Sequence, residues 1–328
     1  MKAYDLVSLG EALLRFSPPR GERMEQAARF DVRLAGSQFN VAADAARLGL
    51  RSAFLTQLPE SPLGGFARNV LTQYGVDQKW IRSVPGSRIG STYVEFSLPP
   101  RPARAIYDRK ASAASAVDEA SFPWDEIAAQ SAMCYTDGIF PALGAGCERA
   151  ALAWFSAGRR QGAKNCFDLN FRRHLWSEAE AAACWRKLLP LVDVAVINRA
   201  VCEKVFGYSG DDRRLIERFA AEFGVGCVAF TARRGEGERH GAWRAVLRTE
   251  DGAFFESEIE FDIVDRYGTG DAWFTGLLTG LLRYPPERAL AFADAVIALA
   301  HTTFGDAIQT TAAEAEALAF GKTSMLQR

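Results

Sequence analysis

Asp265-Arg266-Tyr267-Gly268-Thr269-Gly270-Asp271-Ala272-Trp273-Phe274 opens an apolar helical run that continues to Leu282. Two glycines let the backbone turn tightly. A helix that starts there aims unpaired N–H groups at whatever lies before it. Such a terminus can hold an anion. Spacing alone leaves Asp271 two roles. It can offset the helix dipole, or it can take a proton from a hydroxyl while the amides hold a transferring phosphoryl group. Gly268-x-Gly270 is not a dinucleotide fingerprint, because Trp273 stands where that motif needs its third glycine.

Upstream, short β-rich runs alternate with helix-period runs. Tyr4 to Gly10 reads as a buried strand, and Ser37 to Leu48 as a helix closed by Gly49 in the left-handed position. Further apolar strands fall at 53–57, 132–136, 165–169, 192–198 and 225–231, with helices at about 63–74, 145–161, 178–188, 199–206 and 211–223. Strands at about 242–248 and 253–260 follow, then helices at about 270–283 and 286–303. Fully apolar strands alternating with helices predict a mostly parallel sheet covered on both faces. Leu13 to Leu34 and Ile89 to Asp108 break the rhythm by alternating polar and apolar residues. They read as a small β flap, or alternatively as two ordinary surface hairpins.

The chain has 328 residues, 48% hydrophobic and 24% charged, enough to bury a core without disulfides or metals. Its 39 basic and 40 acidic residues leave a net charge of −1, so no global field draws in nucleic acid or an anionic membrane. Anions must be handled by a local site. Six scattered cysteines without a C-x-x-C, and three histidines, speak against a zinc centre and for small core residues in a reducing compartment. The start lacks a signal-peptide pattern, and the longest apolar stretch, Ala289 to Ala300, is too short to span a bilayer. A cytoplasmic location is expected.

Gly268-Thr269-Gly270-Asp271-Ala272 resembles the G-A-G-D-A/S signature of the ribokinase-like carbohydrate kinases. Ala35-Gly36-Ser37-Gln38-Phe39-Asn40, followed by Ala45-Ala46-Arg47-Leu48-Gly49, is similar to their N-terminal signature. The resemblance covers essentially the whole chain. It implies one α/β domain, a three-layer α/β/α with a mostly parallel central sheet and a small β flap as lid. Within the family, three segments resemble 2-keto-3-deoxygluconate kinases: Ile106-Tyr107-Asp108-Arg109; Phe167-Asp168-Leu169-Asn170-Phe171-Arg172 with Leu175-Trp176; and Ala298 to Asp306.

That resemblance implies ATP-dependent phosphorylation of the terminal hydroxyl of 2-keto-3-deoxygluconate. Asp271 would be the base, Gly268 would belong to the same catalytic turn, and the amides of Thr269, Gly270 and Asp271 would stabilise the γ-phosphoryl charge. Gly36, Asn40, Thr92, Tyr107, Arg109 and Arg172 would bind the sugar acid. The two arginines suit its carboxylate, since a guanidinium fork matches it in charge and shape. Read without the family, Arg109 and Arg172 could equally be solvated surface cations. Asn198, Thr231, Gly235, Gly237 and Gly305 would serve the nucleotide, with Mg²⁺ carried on the ATP phosphates rather than by direct protein ligands. A monovalent cation and a homo-oligomer are also implied. A fructokinase or other neutral-sugar kinase is the alternative, and a non-catalytic sugar-acid binding module a further one.

Several residues depart from the family pattern. Ala35 stands in place of a usual glycine, Thr92 of a tyrosine, Thr269 of an alanine and Ala300 of a lysine. An N-x-x-E motif tied to the magnesium and phosphate water network reads Asn198-Arg199-Ala200-Val201. Val201 is expected on a helix turn facing the phosphates, where a glutamate would be solvated. Glu203 lies roughly 200° further round the helix and is a poor substitute.

Overall fold

The computed structural model describes residues 2–234 and 239–321. Gly235 and Gly237 lie outside the described residues. In chain order the elements are β1 (Tyr4–Leu9), β2 (Leu13–Ser17), β3 (Asp31–Ala35), α1 (Ser37–Arg47), β4 (Ser52–Pro59), α2 (Pro62–Tyr74), β5 (Ile81–Val84), β6 (Gly90–Glu95) and β7 (Arg104–Asp108). Then come α3 (Trp124–Gln130), β8 (Ser131–Asp137), α4 (Ala145–Arg160), β9 (Lys164–Asp168), α5 (Glu178–Leu188), β10 (Val194–Ile197), α6 (Arg199–Lys204) and α7 (Asp212–Phe223). The last are β11 (Cys227–Arg234), β12 (His240–Arg248), β13 (Phe254–Asp262), α8 (Thr269–Arg283), α9 (Pro286–Ala300) and α10 (Ala312–Phe320).

Nine strands form one sheet in the order β13-β12-β11-β10-β9-β8-β1-β4-β5. Every pairing from β11 to β5 is parallel, and β12, near one edge, pairs antiparallel with both β11 and β13. Strand period 2 sends alternate side chains to opposite faces. Val7, Leu9, Phe167, Ala195 and Val228 pack beneath Trp154, Trp185 and Phe219 of α4, α5 and α7. Leu6, Met133, Cys166, Val194 and Cys227 pack with Val41, Phe274, Leu277 and Ile297 of α1, α8 and α9. All six cysteines are buried and free.

The two stretches that alternate polar and apolar residues form one sheet, not two separate hairpins. Its order is β3-β2-β6-β7, with β2 and β6 side by side and parallel. Thr92 and Tyr107 are register partners, as are Tyr93 and Ile106. Thr92 and Tyr107 therefore share the face that lines the cavity below. Tyr93 points the other way and stacks on Phe16 at 5.2 Å, so it does not replace the missing family tyrosine.

Four elements differ from expectation. The edge strand β5 has only four residues, two of them exposed, and α3 has no side-chain cap; both signals are weak. By contrast α10 begins with a complete capping box, Thr311 with Glu314. Finally, α9 ends at Ala300 rather than near 303. The chain then turns through Gly305 (φ +128°) and carries Asp306 toward α8.

Candidate active site

Strands β1, β8, β9 and β10 end on the same side of the sheet, and their carboxyl ends deliver Glu11, Asp137, Asp168 and Asn198. Open parallel sheets bind ligands there. The N-termini of α1 and α8 reach the same place. Gly268 caps α8 with φ +72°, and a Cβ on it would overlap the carbonyl oxygen of Asp306. Gly36 caps α1 with φ +125°, and its Cβ would press on the Glu11 carbonyl. Only glycine fits either position. A Cβ on Gly270 would meet nothing within 4 Å, and Thr269, Gly270 and Asp271 border a cavity at the start of α8.

Asp271 is held from both sides. Ser37 Oγ donates to its Oδ1 (2.6 Å) and Asn40 Nδ2 to its Oδ2 (2.7 Å). Burial pushes its carboxyl up to about 6, against these two hydrogen bonds and the Arg172 charge. Asp137 repels it from across the site. Burial pushes Asp168 further, to about 8, with Asp137 and Asp271 adding repulsion. Asn40 Oδ1 is buried and has no hydrogen-bond partner, so an acceptor waits beside the base for a ligand hydroxyl.

One cavity, of about 120 Å³, lies between the flap and Asp271. Gly36, Asn40, Thr92, Tyr107, Arg109 and Arg172 all line it, together with Ala35 and His174. The six residues expected to bind the sugar acid are thus brought together. Their availability differs. Thr92 Oγ1 donates to the Ile106 carbonyl (3.1 Å). Tyr107 stacks on His174 with ring centroids 4.8 Å apart. The guanidinium of Arg109 is already committed: its Nε donates to Glu11 Oε2 (2.8 Å), and a second nitrogen closes on the same oxygen. Glu11 is fully buried and also accepts from Ser112 (2.6 Å). The Arg172 side chain, in contrast, has no hydrogen-bond or ion-pair partner among the described residues and lines both this cavity and the next.

Arg109 therefore has a structural duty that its sequence context does not reveal. Removing it strands a buried carboxylate. Arg109→Ala should cost about 3–5 kcal/mol of stability, read as a lower denaturation midpoint in urea. An unchanged midpoint would show that Glu11 is solvated or protonated without its partner.

A second cavity, of about 660 Å³, adjoins the first across the α8 N-terminus. Asn198, Thr231, Thr269, Gly270 and Asp271 line it, as do Arg172, Arg233 and Arg266. Arg233 donates to Thr269 Oγ1 (3.2 Å). Three guanidiniums beside a helix N-terminus could hold a polyanion, in a cavity larger than the one under the flap. Gly305 lines neither cavity. Its amide donates to Asp265 Oδ2 (3.2 Å), and it borders a separate crevice between the flap and α2.

The expectation for Val201 is overturned. Asn198 caps α6, accepting from the Val201 amide at 3.0 Å. This orientation turns the Val201 side chain into the main core, where it is 2% exposed. It does not face the phosphate cavity. Glu203 pairs with Arg199 at the surface.

Sequence reading alone also passes over Arg15. This flap residue is 2% exposed, 3.3 Å from Asp265 and 3.1 Å from Asp306. Its guanidinium lies over Tyr267, 5.1 Å from the ring centroid. It thereby ties the flap to the loop that carries the anion hole. Arg233 and His174 escape too: each lies beside residues that the resemblance marks, but neither belongs to a quoted motif. A buried carboxylate between a small polar cavity and a cationic one, at a helix N-terminus, has the layout of a phosphotransferase acting on a small hydroxylated molecule.

Comparison with known proteins narrows the class. Residues 3–313 match the pfkB family carbohydrate kinase profile, and the chain belongs to that family. It is 35% identical over 326 residues to the 2-dehydro-3-deoxygalactonokinase of Haloferax volcanii, covering 99% of both chains. It is 28% identical over 310 residues to the 2-dehydro-3-deoxygluconokinase of Thermoproteus tenax, covering 92% of this chain and 89% of that one. The crystal structure of 2-dehydro-3-deoxygluconokinase from Thermotoga maritima superposes with a TM-score of 0.92 at 31% identity, covering 97% of this chain and 100% of that one. No helix among the described residues is long and apolar enough to cross a membrane.

Proposed function

We propose that this kinase transfers the γ-phosphoryl group of ATP to the terminal hydroxyl of 2-keto-3-deoxygluconate. The observation that carries the reading is Asp271, buried between the two cavities with the unpaired guanidinium of Arg172 beside it. The sugar acid lies under the flap, its carboxylate on Arg172 and a hydroxyl on the open acceptor of Asn40. The triphosphate lies along Arg233, Arg266 and the α8 amides. The terminal O–H gives its proton to Asp271 as its oxygen attacks the γ-phosphorus. The bond from that phosphorus to the β-bridging oxygen breaks, and ADP leaves. The amides of Thr269, Gly270 and Asp271 hold the charge that builds on the phosphoryl oxygens. Mg²⁺ carried on the phosphates supplies charge neutralisation; Asp168 and Asn198 line the same cavity and would meet its water shell. The 4-epimer is the second reading, favoured by the galactonate name of the 35% identical relative.

An ATP-consumption assay against both sugar-acid epimers and fructose tests this. Turnover of at least one sugar acid with far greater efficiency than fructose is expected. Equal efficiency on fructose would replace the reading with a neutral-sugar kinase, and binding without turnover would make the chain a sensor. Arg172→Ala should raise KM for the sugar acid on the order of tenfold or more, since a charge-assisted hydrogen bond is worth roughly 1.5–3 kcal/mol. The same variant should raise KM for fructose far less, since fructose loses only the Arg172 charge at the nucleotide-side cavity and beside Asp271, which separates carboxylate recognition from general damage.

A further inference from the structure

We infer that Ser37 is a positioning residue for Asp271: its hydroxyl, held in turn by Asn170, fixes one oxygen of the base and leaves the other to take the proton. The inference rests on Asp271 being the base. Ser37 Oγ donates to Asp271 Oδ1 at 2.6 Å, the short length of a charge-assisted bond. Asn170 Nδ2 donates to Ser37 Oγ (3.2 Å) and to Asp137 Oδ2 (2.9 Å). Asn170 is itself pinned, at φ +33°, by its amide on Asp168 Oδ1 (3.0 Å). Asp137 Oδ1 takes the amides of Ile139 (2.9 Å) and Phe140 (3.2 Å) and the side chain of Gln38. The Ser37 hydroxyl also lies within reach of Asp137 and Tyr135, but Asp137 already takes Asn170, Gln38 and two amides, and the 2.6 Å contact is the one to Asp271.

The two donors on the base are not equivalent. Asn40 keeps an unpartnered buried oxygen that a sugar hydroxyl can fill, so Oδ2 lies on the substrate side. Ser37 faces the protein's own network, and its contact should persist through turnover. The charged and titratable groups felt at this site are Asp137, Asp168, Asp44, Asp306, Tyr135 and Arg172. Four are carboxyls, and Arg172 is the cation among them. A hydroxyl donating to Asp271 stabilises its charged form against that acidic surrounding.

The test is the pH dependence of kcat/KM, which reports the free enzyme. Ser37→Ala removes the donor and should move the acid limb up by roughly one pH unit, the size expected for one hydrogen bond to a charge. The loss should be about fivefold near pH 6, approach tenfold near pH 5, and stay within about threefold near pH 9, with KM for ATP unchanged. Ser37→Thr keeps the hydroxyl and should restore the wild-type limb. Equal rate loss at every pH in Ser37→Ala, or a Thr variant no better than Ala, would overturn the positioning role while leaving Asp271 as the base. Full activity in Asp271→Asn would overturn both. Should Ser37→Ala misfold by circular dichroism, a shifted limb in Ser37→Cys, a weaker donor, decides the matter, and an unshifted one overturns the role.

Discussion

Asp271→Asn should lower kcat by a factor on the order of 10² or more while leaving the affinities for sugar and nucleotide within a few-fold. Asparagine has the shape of the carboxylate but cannot accept the hydroxyl proton. It can still receive a hydrogen bond from Ser37 or Asn40 on its oxygen, so the pocket should stay assembled. The wild-type rate carries a related signature. Burial raises the Asp271 carboxyl to about 6, and a base works only when ionised. As pH falls through about 6 the group protonates, so kcat/KM should decline on that side and level off above it. Rapid-quench measurement of the phosphorylated product, with ligand affinities from calorimetry, checks the split between chemistry and binding. A variant that keeps more than about a tenth of wild-type kcat shows that the proton leaves by another route.

The placement of that carboxylate on the first turn of α8 was legible in the sequence because it is local. Gly268-x-Gly270-Asp271 puts two permissive residues and a carboxylate on the first turn of an apolar helix, and the fold obeys. The same holds for the main sheet, whose strands are apolar runs closed by glycine or polar caps. What could not be read is non-local. Arg109 and Arg172 look alike in sequence, each beside another charge, yet only the fold sets Glu11 against one and open cavity against the other. Arg15 sits in an unremarkable flap strand, and its two carboxylate partners lie some 250 residues on or more. Ser37 lies inside a recognised motif, but its meaning depends on Asn170, 133 residues away. Helix α10 is the opposite case, since its capping box is written plainly in Thr311-Ala312-Ala313-Glu314.

Val201 shows how a motif can mislead about direction. Counting three residues on from Asn198 suggests a side chain that looks at the phosphates. The helix cap dictates otherwise: because Asn198 Oδ1 takes the Val201 amide, the peptide nitrogen faces the cap and the side chain turns under the sheet. There Val201 belongs to the same buried cluster as Ile197, Cys202, Phe206 and Phe230. Val201→Glu would place a carboxylate among apolar atoms, with none of the water or cations it needs. The cost should be about 3–5 kcal/mol, a drop in melting temperature of roughly 5–10 °C for a chain of this size. The Mg²⁺ concentration for half-maximal rate should not fall. Differential scanning fluorimetry and a magnesium titration of the same preparations decide it. Wild-type melting with a lower magnesium midpoint would mean that the side chain does reach the phosphates. The pH dependence gives a second check with a fixed sign. Burial raises the folded-state pKa of this glutamate above its ordinary value near 4.3. Below that value both states are protonated and the electrostatic penalty is absent. As pH rises, the unfolded chain ionises first, so the penalty grows until the folded-state value is passed. The melting gap between variant and wild type should therefore be narrowest in acid and widen toward neutrality.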